Sequence, residues 1–248
     1  MSAATFAAHG DEERNVSARL AGYDWDRIGA DLEAWGCARI DGLLAAETCD
    51  ALSGLYNDNA RFRSRVAMAH HGYGQGEYKY FAYPLPGIIA SLRTALYARL
   101  APIANHWMTC MGSEIRYPPD HGEFIVRCRD AGQVRPTPLL LKYGAGDYNC
   151  LHQDLYGAHV FPLQAALLLS QPRGEFTGGE FVLTEQRPRM QSRCEVVPLE
   201  KGDAVIFAVH QRPRRGGRGY YRVQMRHGVS RVRSGARFTA GIIFHDAL

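Results

Sequence analysis

Partway along this 248-residue chain the spacing of apolar residues changes period. Between about residue 20 and residue 110 they recur at helical intervals. Trp25, Ile28, Leu32 and Trp35 form one stripe, ended by Gly36. Leu52, Leu55 and Tyr56 mark a second helix over 45–57. After Pro86, a long third stripe carries Ile88, Ile89, Leu92, Leu96, Leu100, Ile103 and Trp107. From about residue 123 the pattern becomes short apolar runs broken by Gly and Pro: Phe124–Arg127, Pro138–Tyr143, Phe161–Ser170, Glu180–Leu183, Glu195–Pro198, Ala204–Val209, Arg222–Val232 and Arg237–Phe244. Such runs read as short strands with turns between them. Helices first and strands later predict an α+β fold: a jelly roll, or double-stranded β-helix, with N-terminal helices packed on one sheet. The expected organisation is a flexible tail over 1–20 and a single domain over 21–248. That domain has helical support at 21–110 and a jelly-roll core at 123–246.

Composition removes several classes of function. Charged residues make up 22% of the chain, so it is not disordered throughout. Met1 to Ser17 lack the apolar centre of a signal peptide, and no apolar run is long enough for a membrane helix. A cytoplasmic protein without membrane contact is therefore expected. The six cysteines (Cys37, Cys49, Cys110, Cys128, Cys150 and Cys194) form no C-x-x-C pair. They are expected to be reduced, small buried hydrophobes rather than zinc ligands. Net charge is +4, but between Arg187 and Arg237 thirteen Lys/Arg face three Asp/Glu. That imbalance suits either an anionic partner or a solvated surface.

The chemistry starts at His152-Gln153-Asp154. On an extended strand residues i and i+2 share a face, so one imidazole and one carboxylate converge on a single ion. Two His and one carboxylate on one face of an octahedron, with open positions opposite, is the iron(II) arrangement of non-haem oxygenases. The third ligand has to come from a distant strand. His227 is the best candidate, with His159, His210 and His245 as competitors, and ten residues after His227 comes a basic residue, Arg237. A guanidinium there can hold the far carboxylate of 2-oxoglutarate bidentately. Thr239, on the same face, can donate a hydroxyl to it.

These residues sit in a longer series. Leu141 to Asp154 resembles the strand and first-ligand segment of prolyl-hydroxylase-like 2-oxoglutarate oxygenases. The Gly178-Gly179-Glu180 turn, the Lys201-Gly202-Asp203 turn before Ala204 to Phe207, and the His227/Arg237 spacing follow in the same order. Arg237 stands where prolyl hydroxylases usually carry Lys, a departure that bears on the substrate rather than the co-substrate. More closely, Arg135 to Pro138, His152 to Phe161, Phe176 to Arg193 and His227 to Asp246 resemble a bacterial oxygenase group that acts oxidatively on methylated, damaged DNA.

The resemblance implies Fe(II), with 2-oxoglutarate as co-substrate, O2 as second substrate and ascorbate as an accessory reductant. It also implies hydroxylation of a C–H bond with release of succinate and CO2, and a contact from Tyr143 to the co-substrate. The leaning is to oxidative demethylation of alkylated nucleobases, with single-stranded or damaged nucleic acid as partner. The alternative is hydroxylation of a protein or amino-acid side chain. Residues 70–81 alternate Gly and Tyr and are expected to form a mobile substrate lid. Tyr73, Tyr78 and Tyr80 would stack on the substrate, beside Arg135, and Arg212 to Arg218 would form a loop that holds phosphates.

Overall fold

The computed structural model describes residues 16–248. Residues 1–15 of the expected tail lie outside the described residues. Residues 16–21 are helical, with Val16 and Leu20 buried, so the end of that expected tail is part of the packed structure. Helix α1 (Trp25–Trp35) starts at Asp24, whose side chain accepts from the Arg27 N–H. It stops at Gly36, which adopts φ 81° and returns its N–H to Leu32. Ile28 and Leu32 are buried as expected, whereas Trp35 is 48% exposed. Strand β1 (Cys37–Ile40) and helix α2 (Ala46–Gly54) follow, and a 3-10 turn carries α2 to Asn57.

The Gly/Tyr segment is strand rather than lid. After β2 (Phe62–Ala67) and a 3-10 turn over Met68–His71 come β3 (Gly74–Gln75) and β4 (Glu77–Phe81). β4 is hydrogen-bonded on both sides, to β2 and to a later strand. In β3, Gly74 serves close approach: a Cβ there would clash with the Tyr148 carbonyl oxygen.

Helix α3 (Gly87–Cys110) is the long third stripe, burying Ile89, Leu92, Leu96, Leu100 and Trp107. The next segment corrects the sequence-based expectation of a strand at 124–127. It is helix α4 (His121–Asp130), capped by Asp120, whose side chain accepts from the Glu123 N–H at 3.0 Å. The Asp120…Glu123 spacing is a helix-start signature that outweighs the short apolar run.

The β region runs β5 (Leu139–Tyr143), β6 (Tyr148–His152), β7 (Leu163–Leu168), β8 (Phe176–Gly178), β9 (Phe181–Gln186) and β10 (Arg193–Val197). It continues with β11 (Ala204–Ala208), β12 (Gln211–Gly216), β13 (Gly219–Val229), β14 (Val232–Gly235) and β15 (Arg237–Ile242). One seven-stranded sheet has the order β1-β11-β7-β15-β5-β4-β2. The facing sheet runs β10-β9-β13-β6-β3, with β12 paired to β13, and β14-β8 forms a separate small ladder. The helices pack mainly on the larger sheet, against β1, β11 and β15. One hydrophobic core joins the helical and β regions, from Val16 through Trp107 to Phe244. The expected Arg/Gly loop at 212–218 is largely β12 and its hairpin turn. Of the cysteines, Cys37, Cys49 and Cys128 are buried, Cys110 is half-buried, and Cys150 and Cys194 are exposed, against the expectation of six buried thiols. Among the described residues no helix is long and apolar enough to cross a membrane.

Candidate active site

The jelly roll brings His152 and His227 together as direct cross-strand partners. β6 ends at His152 and pairs with β13 at His227. Their ring centroids are 4.2 Å apart. Asp154 lies two residues beyond the strand end and still turns inward. Its carboxylate oxygens are 3.6 Å from His152 Nε2 and 3.4 Å from His227 Nε2. One ligand atom from each residue lies within 4.8 Å of the others, the only such His/Cys/Asp/Glu group among the described residues that could hold a metal ion. His152 Nδ1 faces the Cys150 carbonyl oxygen at 2.8 Å, which favours a proton there and leaves Nε2 for a metal. Burial and the nearby His152 push His227 down, toward the neutral imidazole that binds metal. Burial opposes the Asp154 charge. The His227 hydrogen bond and the two imidazoles outweigh it and hold the carboxyl below the usual carboxylate range. The competitors do not join this group. His245 is buried and its Nδ1 accepts from the Phe161 N–H at 3.3 Å.

All three residues line a cavity of about 210 Å³ between the two sheets. At one end is Arg237, 2% exposed. Its Nη1 donates to the Thr239 hydroxyl at 2.6 Å, and its guanidinium carbon lies 5.5 Å from the centre of the Tyr143 ring, its cross-strand partner. Arg237 has no ion pair among the described residues, and its Nε has no hydrogen-bond partner. Burial lowers it to about 10, so it remains charged near neutrality. An unpaired buried cation is unfavourable, and a ligand carboxylate would supply the missing charge and acceptors. Two imidazoles, one carboxylate and this unpaired guanidinium fit an iron(II) and a 2-oxo dicarboxylate in one cavity.

The opposite end is apolar and aromatic, with Leu139, Ile243, Tyr78, Tyr80 and Tyr156. Tyr73 also lines the cavity, 48% exposed and stacked on His71 at 5.2 Å. Arg135 is exposed, bridged to Ala247, and does not line the cavity.

Sequence reasoning missed three polar residues here. The Tyr156 hydroxyl donates to Asp154 Oδ1 at 2.6 Å and is linked to the Tyr80 hydroxyl at 3.2 Å. Burial and the Asp154 charge raise Tyr156, so it stays a donor. It continues the alternation His152, Asp154, Tyr156, which was the available signal. Gln153 Nε2 donates to the Met225 carbonyl oxygen at 2.7 Å, tying the ligand segment to β13. Gln164 lines the cavity with its buried Nε2 unpartnered; a lone amide in the apolar run 161–170 was its signal.

A family model described as "oxygenase, catalysing oxidative methylation of damaged DNA" matches residues 76–247. The chain belongs to this oxygenase family. The enzyme is thus an oxidoreductase. Uncharacterized proteins Rv2227 and MT2286 of Mycobacterium tuberculosis are each 48% identical to the oxygenase over 167 residues, 67% of this chain and 72% of theirs. Among solved structures, a Pseudomonas putida prolyl-4-hydroxylase aligns with TM-score 0.52 and 14% identity over 88% of this chain and 96% of its own. The non-heme alpha ketoglutarate dependent epimerase SnoN from nogalamycin biosynthesis aligns with TM-score 0.53 and 15% identity, over 88% and 81% of the two chains. A 2OG-Fe(II) oxygenase family oxidoreductase from Burkholderia pseudomallei gives 0.50 and 15% over 91% and 94%. At these identities the likeness establishes the 2-oxoglutarate/iron(II) oxygenase fold.

Proposed function

We propose that the oxygenase uses His152, Asp154 and His227 to hold iron(II) and Arg237, with Thr239 and Tyr143, to hold 2-oxoglutarate. When bound, these two supply the oxidising power that inserts oxygen into a C–H bond, with succinate and CO2 as by-products. The chain's own contribution is geometric and electrostatic. Arg237 fixes the far carboxylate, and Thr239 accepts from Arg237 while keeping its own hydroxyl hydrogen for the ligand. Tyr156 occupies one oxygen of Asp154, which orients the carboxylate. Leu139, Ile243 and the tyrosines exclude water from the substrate end. The observation that carries this reading is the buried, unpaired Arg237 sharing one cavity with the His/Asp/His group. Residues 16–248 act as one unit, because helices and sheets share one core from Val16 to Phe244.

For the substrate we propose an alkylated nucleobase, demethylated oxidatively. The family description favours it, and so does a cavity end walled by Tyr78, Tyr80 and Tyr156, with flat faces on which an extruded base stacks. The test is succinate formation with iron(II), 2-oxoglutarate and ascorbate, comparing methylated oligonucleotides with their unmethylated forms and with peptides. Methyl-dependent turnover with formaldehyde release is expected. Turnover stimulated only by peptides, with a +O product, would replace the nucleobase by a protein side chain.

A further inference from the structure

Four of the thirteen Lys/Arg between Arg187 and Arg237 meet in one cluster. Glu185, near the end of β9, has a side chain 1% exposed and is approached by four guanidinium groups. Arg187 Nε is 2.7 Å and Arg214 Nη1 3.2 Å from Oε1, Arg193 Nη2 is 3.8 Å from Oε2, and Arg212 pairs with Oε2 as well. Arg212 has a structural task. It is fully buried, and its nitrogens also donate to the Glu33 and Ala34 carbonyl oxygens, fastening the C-terminal end of α1. That one cation already neutralises Glu185.

Three positive charges remain in excess within a few ångströms. The side chains of Arg187, Arg193 and Arg214 are 24%, 32% and 28% exposed, so they are held in place yet open to solvent. Arg193 is stacked over the Trp35 ring at 4.9 Å, and its buried Nε has no partner. Three positioned forks with spare N–H donors around a saturated carboxylate repel one another unless an oxyanion joins them. The cluster also lies beside the cavity. Glu185 is the cross-strand partner of Met225, two residues from His227 and about 7 Å along β13. Gln153 hydrogen-bonds the Met225 carbonyl oxygen from the metal side.

We propose that Arg187, Arg193 and Arg214 form a phosphate-binding site, and that its occupant is a backbone phosphate of a single strand whose target base enters the cavity. The occupant rests on the nucleobase reading above; the anion site itself does not. The test uses the full chain with Arg187→Gln, Arg193→Gln and Arg214→Gln, singly and combined. Arg212 is left intact to preserve the fold, and Arg27→Gln on α1 serves as a control. Inorganic phosphate, with ionic strength matched by chloride, should raise the Tm of the wild type and of the control but not of the triple variant. Equal shifts in wild type and triple variant overturn the site.

For a single-stranded oligonucleotide, log K falls linearly with log salt. Each lost phosphate contact should reduce that slope by about 0.7. A triple variant with unchanged slope and affinity overturns the assignment to nucleic-acid backbone. If the phosphate shift depends on the three arginines but no oligonucleotide binds, the anion site stands and the nucleic-acid occupant falls with the nucleobase reading. Single Arg→Lys variants should fold and bind phosphate more weakly than Arg, because the charge is kept and the fork is lost.

Discussion

Arg237 is a buried cation with no counter-charge among the described residues. Replacing it with Ala should remove a charge-assisted contact of about 1.5–3 kcal/mol. The 2-oxoglutarate KM should then rise roughly ten- to a hundred-fold, with iron affinity unchanged. An unchanged KM in succinate assays would mean that another group holds the co-substrate. His152→Ala or Asp154→Ala should abolish turnover and metal uptake while leaving the circular dichroism spectrum intact, because both residues sit at or beyond the end of β6. Tyr156 acts through Asp154. Tyr156→Phe keeps the ring and removes the 2.6 Å hydrogen bond. Lost partners of metal ligands typically lower metal affinity about 10–100-fold. A Mn(II) or Fe(II) titration reads this directly, and wild-type affinity in the variant would leave the hydroxyl no positioning role.

At the scale of elements, register places the chemistry. His152 opposite His227 on β6 and β13, and Tyr143 opposite Arg237 on β5 and β15, are single cross-strand pairs. A one-residue slip of either ladder would send its side chains to the other face. The turn between β8 and β9 supports the second pair. Gly179 has φ 65°, and a Cβ there would sit 2.9 Å from Arg237 Cδ. Gly179→Ala should therefore destabilise the fold by about 1–2 kcal/mol from the left-handed backbone alone. It should also weaken 2-oxoglutarate binding by displacing Arg237. Urea unfolding and co-substrate titration separate the two effects, and an Ala variant with normal titration would show that Arg237 tolerates the contact.

For the whole molecule, buried histidines set the acid limit. Burial pushes His121 and His245 down to about 4. In the unfolded chain they titrate near 6.5. Between those values the unfolded state binds more protons than the folded state. Their contribution is therefore complete above about pH 6.5 and is lost as pH falls toward 4. The urea midpoint of the metal-free protein should fall steadily from pH 7 to 5. A flat profile would show that neither imidazole is buried neutral.

The change from helical to strand periodicity, the His152/Asp154 spacing and the His227/Arg237 offset are legible because each is a short interval along the chain, although Asp154 lies beyond the end of β6 and the ten-residue offset crosses β14. Residues 124–127 suggest a strand because a short apolar run carries no period of its own, although Asp120 and Glu123 mark a helix start. The Gly/Tyr segment suggests a mobile loop because glycine favours turns, yet hydrogen bonds from β2 and β5 make strand of residues 77–81. From sequence come the candidates for a metal and a dicarboxylate, His152, Asp154, His227 and Arg237, because the donor chemistry of a side chain belongs to its residue type. Folding in three dimensions is what sets Tyr156 against Asp154, buries Arg212, and crowds Arg187, Arg193 and Arg214 around one carboxylate. Those contacts join residues whose meeting depends on the pairing of β9, β10, β12 and β13 and the docking of α1, which no local pattern encodes.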